Sequence, residues 1–250
     1  LENYLRKIQS ERPEYEFTTT DNVKHELWIV ENEASKDLQN YFKSIDEVYI
    51  ADGHHRSASS AGLYQAKGNL YTNSKNFLAY FVEENQLNII AFNRLVKTLN
   101  NLSPEVFIEK LQSLGELTIL KYGSAPDANH TMHFCIDKQW YRLKLNTALI
   151  DENHPVKSLD ADLLTELILK PILNIEDLKT SDAVDFLPGT FNAQEFEKEM
   201  KKNNFHLGFM LYPVNIHQIK AVADAGLYMP PKSTWVEPKL RSGLTIYNLK

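Results

Sequence analysis

The sequence predicts an α+β or mixed α/β protein, a mixed sheet with flanking helices. Three observations lead there. Segments with apolar residues at helical spacing alternate with short apolar runs of strand length. Several strand-like runs are near neighbours in sequence, as hairpins require. The 250 residues are 43% hydrophobic and 24% charged, ordinary globular values and enough to fill a core.

The elements follow in order. Residues 1–12 read as a short helix, with Leu5 and Ile8 on one face and Pro13 as its stop. Residues 24–30 read as a strand, and Ser35 to Phe42 as a helix with Leu38 and Phe42 four apart. Glu47 to Ala51 reads as a buried strand leading into the turn Asp52-Gly53. Ser57 to Lys67 is the helix after it, closed by Gly68. Phe77 to Val82 is nearly continuous in apolar residues, which suits a strand covered on both faces. Leu87 to Phe92 pairs with it as a hairpin, with Arg94 just past its end.

Ser103-Pro104-Glu105 is a strong helix start, and Gly115 stops that helix. Three strands follow, Leu117 to Lys121, Met132 to Ile136 and Gln139 to Leu145. Residues 159–169 form a Leu-rich helix ended by Pro171. Phe191 to Lys202 is a charged helix, His206 to Leu211 a strand, and Val214 to Ala225 a helix stopped by Gly226. The prolines of Met229 to Trp235 exclude helix and inner strand, and Leu244 to Tyr247 reads as a last strand. The chain reads as one unit over 1–250, with a sub-boundary near 98–104 where Asn100-Asn101 meets Ser103-Pro104.

The formal net charge of -6 works against non-specific nucleic-acid binding. The one cysteine, Cys135, lies in an alternating run and reads as a buried strand thiol; it favours a reducing compartment. No run is apolar enough to span a bilayer and no signal peptide is visible. The expectation is a cytoplasmic protein. The chain opens Leu1-Glu2 rather than with Met, as a processed form or a piece of a longer protein would.

Function concentrates at Asp52-Gly53-His54-His55-Arg56-Ser57. A helix start presents unpaired N–H groups and the positive end of the helix dipole. Gly53 accepts a positive φ. Arg56 can grip two oxyanion oxygens, and Ser57 can add a hydroxyl. His54 and His55 can move protons near neutral pH, with Asp52 orienting one of them or helping to hold a metal-bound nucleotide. The plainer reading is a surface turn whose aspartate caps a helix. A second cluster, Lys232-Ser233-Thr234 with Lys239 beyond, has phosphate-loop side chains without the glycine spacing of a P-loop. It reads equally as the closing half of a phosphate site or as an exposed basic tail. Arg94 could turn into the same pocket. Metal-ligand spacing is weak, because His130 and His133 would point to opposite faces of a strand and no cysteine cluster exists. The metal expected is Mg arriving with a nucleotide.

The stretches Tyr49 to Arg56, Met229 to Thr234, Pro238-Lys239-Leu240 and Ser242-Gly243-Leu244 resemble the bacterial and archaeal family known as domain of unknown function 1015. His25 to Trp28, Phe77 to Tyr80 and Gly208 to Pro213 support the match. Members carry an upstream Pro-Tyr-Asp-Val motif that this chain lacks, so it resembles their C-terminal part. Members often have an aromatic after the arginine, where this chain has Ser57. The turn also resembles the phosphate-gripping motif of the ParB/sulfiredoxin group, which includes partition proteins, sulfiredoxin and free-serine kinases. That resemblance implies a phosphate or nucleotide site at Arg56. The function expected is a phosphotransferase or nucleotide hydrolase. The alternatives are a non-catalytic nucleotide or small-anion sensor, and a nucleic-acid-associated partition factor.

Overall fold

The structure is a computed structural model that describes residues 1–178 and 180–250. The chain divides into two compact units, Leu1–Tyr49 and Ile50–Lys250.

The first unit holds helix α1 (Glu2–Gln9), strands β1 (Tyr15–Thr18) and β2 (Lys24–Leu27), and helix α2 (Asn32–Phe42). β1 and β2 form an antiparallel hairpin whose turn places Asn22 at φ 61°. β1 is not predicted from sequence, because Tyr15-Glu16-Phe17-Thr18 alternates over only four residues, too few to establish a period. The hairpin stacks Phe17 on His25 at 5.0 Å. The Trp28 indole donates to the Glu11 carbonyl at 2.8 Å, and the Tyr4 hydroxyl donates to the Ala34 carbonyl at 3.2 Å.

The second unit is α+β: a seven-stranded antiparallel sheet flanked by helices. Helix α3 (His54–Lys67) comes first, then β3 (Asn88–Val96), α4 (Pro104–Gln112), β4 (Gly115–Leu120), β5 (Thr131–Ile136) and β6 (Gln139–Leu145). Helix α5 (Asp160–Leu164) runs into a π turn, Thr165–Leu169. Then follow β7 (Val184–Pro188), α6 (Ala193–Lys202), β8 (Leu207–Leu211), α7 (Ile216–Asp224) and β9 (Thr234–Glu237). The strand order is β4-β6-β5-β8-β3-β7, with β9 pairing the first half of β3.

Strand alternation divides the core between the two faces. Met132, Phe134 and Ile136 pack with Phe107 and Leu111 of α4 and with the Leu-rich α5 segment. Cys135, Trp140 and Met210 pack on the other side against Phe196 and Met200 of α6. α6 rides directly over β8, where a Cβ on Gly208 would stand 2.6 Å from the Phe196 ring. Burial pushes the Cys135 thiol up to about 12, so it is protonated and inert at neutral pH.

Five expectations are corrected. Glu47 to Ala51 forms no strand; Val48 and Ile50 are 63% and 48% exposed and have no ladder partner to satisfy their backbone. Phe77 to Val82 is likewise not a strand, and Phe77, Leu78, Tyr80 and Phe81 are exposed. The partner expected for Leu87 to Phe92 is therefore absent, and β9 takes that edge instead. The strand also runs past Phe92 to Val96, because β7 and β8 pair with its second half; Arg94 lies inside it rather than beyond it. Leu244 to Tyr247 forms no strand. The tail is held by Asn73, whose amide donates to the Asn248 and Lys250 carbonyls and whose carbonyl accepts from the Tyr247 hydroxyl. β7 was missed because Val184 to Pro188 includes Asp185 and ends on proline.

Among the described residues no helix is long and apolar enough to cross a membrane.

Candidate functional site

The turn forms at Gly53, but the helix begins at His54, three residues before the expected Ser57, so His54, His55 and Arg56 are its first turn. Gly53 is the N-cap of α3 at φ 88°, ψ 25°, left-handed values that other residues resist. The Ser57 amide closes the first turn on the Gly53 carbonyl at 2.9 Å. His54, His55, Arg56 and Asp52 are exposed, and Ser57 is half-buried. The partner of Asp52 is Arg56, not a histidine: Nη2 donates to the carboxylate at 3.1 Å, with the side chains 81% and 54% exposed. The guanidinium curls back over Gly53, so that a Cβ there would lie 3.1 Å from Arg56 Nη2.

Most other helix starts in the second unit are closed by their own side chains. Ser103 caps α4, while Asn192 and Asn215 form capping boxes on α6 and α7. α3 has neither a side-chain cap nor an acid in its first turn. Its donors and dipole are left for solvent or for an anion.

The second cluster sits elsewhere on the fold, against β3. Lys232 has φ 56°, and its ammonium lies 5.3 Å from the centroid of the Phe92 ring. The Ser233 hydroxyl is buried and donates to the Pro230 carbonyl at 2.7 Å, so it shapes the turn. Thr234 opens β9 opposite Ala91. Lys239 Nζ stands 3.6 Å from the Trp235 ring centroid. Arg94 joins this cluster from below, its Nη2 reaching the Pro231 carbonyl at 3.4 Å. Arg94, Lys232, Ser233, Thr234 and Lys239 are thus brought together where β9 and the segment before it meet β3. Among the described residues no hydrogen bond, ion pair or cation–π contact links them to Asp52–Ser57.

Sequence reasoning missed Asp160 and placed His130 in a strand, whereas His130 lies just before β5 at φ 61°. Asp160 is buried; its Oδ1 accepts from the His130 amide at 2.8 Å and its Oδ2 has no partner. Burial drives its carboxyl up to about 7. His130 closes the same junction through the Ser158 carbonyl at 3.0 Å and Glu152 at 3.4 Å. His133 is buried with Nδ1 bonded to the Ser124 carbonyl at 2.7 Å, and burial holds its pKa below the ordinary histidine value. The available signal for Asp160 was weak: an acid in the first turn of a helix is the ordinary pattern, and only tertiary packing buries this one. Among the described residues no group of three or more His, Cys, Asp or Glu side chains is arranged to hold a metal ion.

Comparison with known proteins places the chain. The model of the family described as protein of unknown function (DUF1015) matches residues 1–162, more than half of the chain, and the protein belongs to that family. The matched span includes Asp52–Ser57 and Arg94 and ends before Lys232. No match was found among curated proteins. Among solved structures the chain is similar to a conserved hypothetical protein from Pyrococcus furiosus, at 16% identity over 78% of this chain and 72% of that one, with a TM-score of 0.41. It is similar to a free serine kinase in complex with AMP at 16% identity over 78% and 69% of the two chains, TM-score 0.38. It is also similar to a C-terminally truncated SbnI from Staphylococcus aureus at 15% identity, over 96% and 76%, TM-score 0.40.

Proposed function

We propose that this family member binds a phosphorylated small ligand or a nucleotide at the start of α3 and acts on it as a phosphotransferase or nucleotide hydrolase. The observation that carries the reading is the uncapped α3 start beside an exposed guanidinium. Backbone N–H groups after Gly53 would hold phosphate oxygens, and Arg56 would add a bidentate, charge-assisted contact. In the native protein Asp52 holds the guanidinium over the turn, so it positions Arg56. Asp52 is also the one carboxylate of the cradle. One carboxylate completed by nucleotide phosphates suits Mg, which binds through few protein ligands, so Asp52 would be the chain's contact with a Mg ion carried by the nucleotide.

In transfer, the acceptor oxygen bonds to phosphorus while the bond to the leaving oxygen breaks. His54 or His55 would take the acceptor's proton, and Arg56 with the helix dipole would stabilise charge on the phosphoryl oxygens. Lys232 and Thr234, which stand against β3 with the Ser233 hydroxyl committed to the Pro230 carbonyl, would form a separate set of phosphate contacts. The acidic balance of the chain works against a partition-type role on nucleic acid.

The test is calorimetric titration with AMP, ADP and ATP, followed by product analysis. Arg56→Ala is expected to weaken binding by about tenfold or more while leaving the melting temperature unchanged, because the side chain is exposed. Unchanged affinity in the folded variant refutes the cradle. Binding without turnover identifies a sensor in place of an enzyme.

A further inference from the structure

Arg94 is 0% exposed, in the middle of β3. A guanidinium carries a charge and five N–H donors, and buried charges are normally paired. Here Nη1 donates to the Phe92 carbonyl at 2.7 Å and Nη2 makes only the long contact to Pro231 at 3.4 Å. Nε is buried without a partner. The Phe186 ring stacks 4.7 Å away. Among the described residues no acid offsets the burial; desolvation brings the Arg94 pKa down to about 9.

The donors left over are not scattered. Nε and Nη2 form one edge of the guanidinium, the edge that grips two oxygens of a carboxylate or phosphate in parallel. The group covering that edge is the segment Pro230–Ser233, through a carbonyl at 3.4 Å. The surroundings are cationic and aromatic. Phe92 stands edge-on to Trp235 at 5.5 Å and to Phe186 at 6.5 Å. Each of the three rings carries one cation: Arg94 on Phe186, Lys232 on Phe92 and Lys239 on Trp235. The acid in this group is Glu237, which accepts from the Trp235 indole at 3.1 Å.

We propose that Arg94 anchors an oxyanion site beneath the Pro230–Ser233 segment, and that its ligand carries a phosphate group. The phosphate takes the place of the Pro231 carbonyl on the Nε–Nη2 edge, and Lys232 and Lys239 supply the outer charge. Three cations around one acid match the charge of a phosphate better than that of a single carboxylate. The site borrows only the ligand's chemistry from the function proposed above; it does not need the α3 cradle.

The experiment is therefore run in the full chain carrying Arg56→Ala, which removes the cradle's side-chain contact. Inorganic phosphate, AMP and acetate are titrated by calorimetry, and each variant's fold is checked by thermal melting. Phosphate or AMP is expected to bind. Arg94→Met, which keeps the volume and removes the charge, is expected to lose about tenfold or more in affinity. Lys232→Ala, at an exposed position, is expected to lose severalfold with an unchanged melt. AMP binding more tightly than phosphate identifies a nucleotide as the carrier, and equal binding identifies free phosphate; both support the site. Three results overturn it: no binding of either probe, a folded Arg94→Met protein with its parent's affinity, or acetate binding as tightly as phosphate. Loss of binding on Arg56→Ala in the native protein with retention at Arg94, or the reverse, separates failure of one reading from failure of the other.

Discussion

Arg56 and Arg94 place the same functional group in opposite surroundings. Arg56 is exposed, paired with Asp52, and stands on a helix with no buried residue. Arg94 is fully buried, has no acid, and stands on the strand that joins β7, β8 and β9. At the first position solvent screens the charge, and a substitution should register in binding rather than in stability. At the second the sheet itself carries the cost of an unpaired ion. The stability of the protein and its ligand recognition are therefore separable at α3 and entangled at β3.

The largest effect that sharpens this contrast belongs to another buried ionisable group with an unpartnered atom, Asp160 of α5. Its folded pKa, about 7, lies above the ordinary carboxylate value of 3.8, so the folded form holds a proton that the unfolded chain has released between those limits. Stability is fully present below pH 3.8 and is lost as pH rises through about 7. The loss is on the order of 4 kcal/mol across that window. Chemical denaturation at pH 4 and pH 8 measures it, and Asp160→Asn should remove most of the difference; an unchanged slope would mean that the carboxyl is not protonated in the fold.

Next comes Arg94 itself. Arg94→Ala should cost about 3 kcal/mol through the cavity and the abandoned Phe92 carbonyl. Arg94→Met should recover most of that, since an apolar side chain of similar volume replaces a buried charge at little cost or with a gain. Denaturant midpoints decide it: a methionine variant as unstable as the alanine variant would show that the charge, rather than the volume, holds the sheet there.

The smallest effect is expected at Gly53. Gly53→Ala forces a side chain into the left-handed region and toward Arg56 Nη2. The local strain is about 1 kcal/mol, and it falls on a helix with no buried residue. The melting temperature should move little while the affinity for phosphate drops. A large fall in melting temperature would show that the α3 start is tied into the core after all, and would erase the contrast.

How much of this was legible in sequence follows the same division. Apart from β7 and β9, the elements of the sheet and its helices could be read because their cues are local: Ser103-Pro104 at the start of α4, alternation in Thr131 to Ile136, and Gly226 after α7. The α3 start could be read for the same reason, since Gly53 and the charged turn are contiguous. What could not be read depends on partners. The apolar content of Phe77 to Val82 looked like a covered strand, but a strand needs a ladder, and here the ladder partner of β3 is β9. Arg94 was placed past a strand end because nothing local announces that Phe186 and Phe209 pair on either side of it. The cation–aromatic cluster joins residues 92, 94, 186, 232, 235 and 239, whose spacing carries no periodic signal.

The burial of α3 has one more consequence. Only Gly53, Ser57, Ser60 and Leu63 of the cap and first turns are even half-buried, a stripe too narrow to anchor fourteen residues. A helix of that length is marginal on its own. Its amides should exchange with solvent through local opening, at a rate decoupled from the β3 amides, which are released only when the sheet comes apart. An anion seated on the first turn would then act as the missing cap, and some of its binding free energy would go into winding the helix that holds it.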